Sequence, residues 1–491
     1  MSPETITTIS PVTNQPIITR DGISEAKLES MSAVAAEAFK SWSKTTLQQR
    51  QAIIKNALHT LTAKRDELGA ELTDQMGRPI NYTPKEIDTA IMRSEYLLKV
   101  SDDVLKDTPG DAQDGFQRYI RKVPVGPVLI IFAWNVSTGT QKAPQVYKPP
   151  PPPLHAQWRY PYLILVNALV PALLAGNTVI LKPSPQTPTV VEHVAAAFEQ
   201  AGLPRGVLQY FHSGAPAVIE TIVRNPKISL VCFTGSVAGG LAVQKAAAGR
   251  IVNVGLELGG KDAAYVRDDV DIAWAAEEIV DGAVFNSGQS CCSIERVYVA
   301  ANVHDAFVAA VQKVLAGYIL GDPTDKATHL GPVVSRRSKL AIEAHIKDAL
   351  AKGAVDATPA NTSFGNPPVA GNYVKPTLLT GVTHDMAVMT EETFGPVIPI
   401  MKVANDEEAV RLMNDSDFGL TASIWTADVS HGHKLADDIE AGTVFVNRCD
   451  YPSPDLAWTG WKNSGKGQTL SRFGFDQFVK LKSYHIKDYP K

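Results

Sequence analysis

A chain of 491 residues, 44% hydrophobic and 20% charged, has ample material for buried cores and is too evenly balanced to stay unfolded. Its formal net charge is −4, with both signs spread along the chain and no block of like charges, which excludes the electrostatic footprint of a nucleic-acid binder. The longest apolar stretch, YLILVNALVPALLAG, is interrupted by Asn167 and Pro171 and is too short to span a bilayer, and the opening MSPETITTISPVTNQPIITR lacks a basic flank before an apolar core, so a cytoplasmic protein is expected.

In chain order, residues 24–42, 46–75 and 84–106 read as amphipathic helices; in the second, Ile53, Ile54, Leu58, Leu61, Leu68 and Leu72 recur near helical spacing until GRP stops it. FQRYIRKV then alternates apolar and polar residues as a half-exposed strand does. From VGPVLIIFAW onward, strand-like runs alternate with helical patterns: NTVILKP, 188–202, VLQYF, 215–225, LVCFTG, 236–249 and VNVGLELGG. Such alternation predicts βαβ units and a parallel sheet covered on both faces. A second alternating series, from about 262 to 447, predicts a second α/β unit. FVKLKSYHIK, near the C-terminus, alternates like FQRYIRKV; neither belongs in a parallel sheet, so they are expected to pair with each other or across subunits.

The four cysteines, Cys232, Cys291, Cys292 and Cys449, form neither a disulfide framework nor a zinc spacing, which points to a reducing compartment and no metal site. In FNSGQSCCSIER, Cys291 follows a Gly-Gln-Ser turn at the end of an apolar helical pattern, where a thiolate could face a cleft; the pair Cys291 and Cys292 could equally be inert and buried. Glu257, in LELGGK, is a carboxylate between leucines at a strand end, so it is either solvated there or a tuned acid–base group. FTGSVAGG opens a helix after a strand and puts the N–H groups around Gly235 and Ser236 where a phosphate binds, although turn glycines are common. Lys182 ends the strand of LKPSPQTP, as either a ribose or phosphate ligand or a solvated charge. Glu392 and Phe394 flank the turn of TEETFGPV.

Taken together and in this order, AWN, LVPALLAGNTVILKPSPQTP, FTGS, LELGGK, GQSC, EETFGPV and WTGWKNSGKG resemble the NAD(P)-dependent aldehyde dehydrogenase superfamily over nearly the whole chain. The resemblance implies an α/β fold with a Rossmann-like cofactor domain (1–115 and 124–258), an α/β catalytic domain (259–450) and a small β oligomerisation extension (116–123 and 470–491). It implies Cys291 as nucleophile, Glu257 as activator of the hydrolytic water, and Asn135 with the Cys291 N–H as oxyanion hole. Trp134, Lys182, Gly235, Ser236, Glu392 and Phe394 would contact NAD or NADP, and Tyr160, Ile164, Asn167, Phe285, Pro452 and Trp458 would line the funnel for a medium-sized aldehyde. A homodimer or homotetramer is implied as well. Strictly NAD-linked members often carry Glu three residues after the lysine; Pro185 stands there, so a 2′-phosphate would meet less repulsion and both dinucleotides are expected to compete for the site. Arg448 is unusual for the family and reads as an anionic-substrate ligand or as a surface ion pair.

Residues 136–159, with prolines from Pro149 to Pro153, interrupt the family's WN-YP junction, and removing them restores AWNYPYL. The segment reads as a docking ligand, a regulatory loop or, the favoured reading, a gene-prediction error placed beside Asn135. Its position raises the alternative of a catalytically impaired scaffold of the same fold; a cysteine hydrolase is a further rival, but it leaves Lys182, Ser236 and Glu392 without a purpose.

Overall fold

A computed structural model describes residues 4–133, 161–365, 370–449 and 451–489. A hairpin of Thr5–Ile9 and Pro16–Asp21 precedes the helices Glu25–Trp42, Leu47–Ala63, Arg65–Met76 and Thr83–Val104. The expected helix at 46–75 is thus two: Lys64 leaves helical geometry (φ −101°, ψ 10°), and Asp66 and Glu67 occupy the first turn of the next helix, where carboxylates offset its positive end. At the start of the first, Thr46 and Gln49 form a reciprocal capping box.

The first sheet runs in the order Gly465–Lys466, Asn253–Glu257, Leu230–Thr234, Val128–Ile131, Val179–Lys182, Leu208–Tyr210, parallel except at its Gly465–Lys466 edge. Helix Pro161–Ala175 lies under it with every residue buried, so its all-round apolar pattern reflects a core position. No helix among the described residues is long and apolar enough to cross a membrane.

The second sheet has the order Val355–Asp356, Thr377–Thr380, Val397–Val403, Ile294–Ala300, Asp262–Val266, Thr421–Trp425, Thr443–Val446, antiparallel only at the Val355–Asp356 edge. Only Leu258–Lys261 separate the strand Asn253–Glu257 of the first sheet from the strand Asp262–Val266 of the second. Glu257 therefore sits where the two sheets meet.

The two orphan strands pair with each other: Phe116–Pro124 and Val479–Lys487 run antiparallel, from Phe116 opposite Lys487 to Pro124 opposite Val479. Tyr119 and Tyr484 face across this pair with ring centroids 4.6 Å apart. With Thr108–Pro109 they form a small three-stranded extension outside both main sheets.

Candidate active site

Cys291 follows a turn that few residue types adopt. Asn286 (φ 50°), Ser287 (φ 57°) and Gly288 (φ 68°) are successively left-handed. At Gly288 a Cβ would meet the Gly395 carbonyl at 2.1 Å, so only glycine fits. Two long-range bonds hold the turn in place: Ser287 Oγ donates to the Gly331 carbonyl at 2.7 Å, and Gln289 Oε1 accepts the Val334 N–H at 2.7 Å. The Gly-Gln-Ser sequence is thus a fixed support that brings the Cys291 side chain to a cleft while its neighbour Cys292 stays buried.

That cleft, about 300 Å³, collects Cys291, Glu257, Gly235, Ser236, Glu392 and Phe394, with Ile164, Asn167 and Trp458 on one wall. Glu257 is gripped at both oxygens: Thr234 Oγ1 donates to Oε2 at 3.2 Å and Thr469 Oγ1 donates to Oε1. Thr234 lies opposite Glu257 in the parallel register, so the first grip follows from strand pairing. Thr469 comes from the far end of the chain and carried no local signal.

The two glycines of LELGGK are there for room. A Cβ on Gly259 would stand 2.3 Å from Glu392 Oε2, and one on Gly260 would stand 2.1 Å from the Cys291 carbonyl. The Gly260 N–H also donates to Glu392 Oε1 at 3.0 Å. Burial, reinforced by the Glu295 charge, pushes the Glu392 carboxyl up to about 8.

A second layer positions the EETFGPV loop. The Glu295 carboxylate accepts the backbone N–H of Thr393 (2.7 Å) and of Phe394 (2.8 Å), and Lys261 Nζ binds it at 2.7 Å while also donating to Thr393 Oγ1 at 3.1 Å. This wholly buried pair supports Phe394 in its left-handed conformation (φ 53°). Neither residue was a sequence candidate, because a Lys and a Glu well apart in the chain look like two solvated charges.

Beside Gly235, Ser236 caps the helix Val237–Ala247, its Oγ accepting the Gly239 N–H at 3.2 Å. Cβ atoms at Gly235 and Gly239 would press on the Phe233 ring at 2.8 and 2.7 Å, so this helix start stays open to an approaching anion. Lys182 ends its strand on the same carboxyl edge of the sheet, beside Ile131, though it does not line the cleft; burial lowers its ammonium to about 8. A doubly wound sheet places a dinucleotide along this edge, and the open helix start with a lysine, two carboxylates and a thiol in sequence fits one.

Trp134, Asn135 and Tyr160 lie outside the described residues. Phe285, expected in the funnel, is buried away from the cleft, its ring 5.5 Å from that of Tyr82 and beneath the Arg78 guanidinium. Pro452 does not line the cleft either; its carbonyl accepts Arg93 Nη2 at 2.9 Å. Arg93 is the wall residue the sequence concealed: Nη1 donates to Asn167 Oδ1 at 3.3 Å, and the buried guanidinium borders the same cleft. Arg448 lies with its guanidinium 3.4 Å from the centre of the Tyr451 ring and is not part of the cleft.

Known proteins give the arrangement a context. The model of the aldehyde dehydrogenase family matches residues 1–141 and 156–484, so the internal gap in the match, 142–155, falls within 136–159. A succinate-semialdehyde dehydrogenase [NADP(+)] of Mycolicibacterium paratuberculosis is 32% identical over 486 residues, 98% of this chain and 96% of that protein. An aldehyde dehydrogenase of Paenarthrobacter nicotinovorans is also 32% identical, over 97% of this chain and 99% of its own length. Among solved structures, betaine aldehyde dehydrogenase from Staphylococcus aureus in complex with NAD+ is similar with a TM-score of 0.88 at 27% identity, covering 99% of this chain and 92% of that one.

Proposed function

We propose, for a chain that belongs to the aldehyde dehydrogenase family and oxidises an aldehyde with NAD or NADP, that Cys291 is the nucleophile and Glu257 the base of the reaction. The single observation that supports this most is that a thiol and a carboxylate from different domains border one cleft, with Ser236, Glu392 and Phe394 along the same surface.

The Cys291 thiolate attacks the aldehyde carbon to give a thiohemiacetal. Its oxyanion needs fixed donors; the Cys291 N–H and Asn135 are our candidates, by the resemblance of AWN and GQSC to the family motifs. A nicotinamide dinucleotide, when bound, would supply the hydride acceptor, and Ser236 would hold its pyrophosphate, Lys182 and Glu392 its riboses, and Phe394 would stand beside its ring. Loss of hydride from the thiohemiacetal carbon to that acceptor would leave a Cys291 thioester. Glu257, immobilised by Thr234 and Thr469, takes a proton from the water that hydrolyses it, releasing the acid and the thiolate. The Arg93 guanidinium in the substrate wall favours an anionic or neutral aldehyde over a cationic one.

The test is dinucleotide reduction over a panel of anionic, neutral and cationic aldehydes, succinate semialdehyde and betaine aldehyde among them. Cys291→Ala is expected to abolish turnover with every aldehyde, whereas Glu257→Gln keeps a single-turnover burst and loses steady-state rate by about 10²–10⁴-fold. Full steady-state activity in Cys291→Ala rules the mechanism out.

A further inference from the structure

Pro185 leaves the Lys182 turn without the carboxylate that would meet a ribose, yet the fold brings one from the opposite end of the chain. The first strand of the N-terminal hairpin lies along that turn: Thr8 Oγ1 donates to the Pro185 carbonyl at 2.8 Å, and Gln186 Nε2 donates to the Ile9 carbonyl at 3.0 Å. Glu4 stands at the head of this strand. Its backbone carbonyl accepts the Gly22 N–H at 2.6 Å, and its side-chain Oε2 accepts the Gly214 N–H at 3.2 Å.

Gly214 belongs to the loop after Leu208–Tyr210, the strand paired with Val179–Lys182, so Glu4 touches one loop at the carboxyl edge of the sheet while Thr8 and Ile9 of the same N-terminal strand touch the next. The Glu4 charge partly offsets the burial that lowers the Lys182 ammonium. The neighbouring cation offers no substitute welcome for a phosphate: Arg20 is held in a bidentate pair by Glu192, at 2.6 and 2.8 Å, and His212 joins the same carboxylate at 3.0 Å. Glu4 itself is exposed, free to accept further donors at its second oxygen.

We propose that Glu4 is a specificity-determining residue that accepts the adenosine ribose hydroxyls and repels a 2′-phosphate, so that this chain prefers NAD to NADP. In a dinucleotide fold the acidic residue on the ribose ordinarily follows the phosphate turn within the same βαβ unit. Here it is donated by the N-terminal strand, which the Lys182 turn anchors. The proposal rests on the reading of this edge as the adenosine ribose site.

The experiment is calorimetric titration of the full chain with NADH and with NADPH, separately, for the wild type, Glu4→Gln and Lys182→Ala. The wild type is expected to bind NADH at least about tenfold more tightly, and Glu4→Gln to bind NADPH about tenfold better while its NADH affinity changes little. Equal wild-type affinities, or a ratio that Glu4→Gln leaves unchanged, overturns the proposal even if both dinucleotides bind. Lys182→Ala is expected to weaken both; if it weakens neither, the ribose lies elsewhere and the underlying reading fails with the proposal.

Discussion

Glu392 is legible in the sequence as part of EETFGPV, but its protonation is not. With its carboxyl pushed up to about 8, and an ordinary value of 4.5 in the unfolded chain, the unfolded state releases a proton over that interval that the folded state keeps. Its contribution to stability is therefore complete below 4.5 and lost as pH rises through about 8. Glu392→Gln removes the titration. In the cofactor-free protein this variant is expected to gain more in Tm over the wild type at pH 8 than at pH 5, read by differential scanning calorimetry. A gain of the same size at both pH values contradicts the assignment. The supporting pair of Lys261 and Glu295 was invisible in the sequence because nothing local marks two charges as partners.

Between residue and fold stands the connector Leu258–Lys261. It joins the two sheets, and directly after Glu257 its two glycines pack against the Glu392 carboxylate and the Cys291 carbonyl. Motif reading picked out its glycines without a reason; the reason is that backbone and carboxylate occupy the space of both side chains. Gly260→Ala must push the Cys291 carbonyl, which is backbone and cannot step aside, so a loss in kcat of at least about 100-fold is expected from a displacement of the order of 1 Å. Retention of wild-type kcat by a folded Gly260→Ala protein, measured with the best aldehyde of the panel, refutes this. The helix break at Lys64 shows the opposite case: periodicity continues unbroken from Leu61 to Leu68, and only the backbone conformation at Lys64 divides the segment into two helices.

At the scale of the whole molecule, the strand Val479–Lys487 is an edge of the small extension, with Leu481 69% and Ile486 42% exposed. An alternating strand with an open edge and apolar outward residues favours association, and we propose a homodimer or homotetramer built through it. Sedimentation velocity is expected to give a dimer or larger, and removal of 479–491 to give monomers; a stable full-length monomer contradicts it. The amino-acid sequence by itself determined the alternation of strands and helices, the turn glycines, and the order of Lys182, Ser236, Glu257, Cys291 and Glu392 along the chain, because periodicity and turn chemistry depend on near neighbours. Which side chains meet was decided only by tertiary structure. Thr469 reaches Glu257 across 212 positions and Glu4 reaches Gly214 across 210, and Phe285 turns into the core while Arg93 turns to the cleft. Such meetings depend on how two sheets and an N-terminal hairpin pack, and packing sums weak contacts from the entire chain that no short stretch encodes.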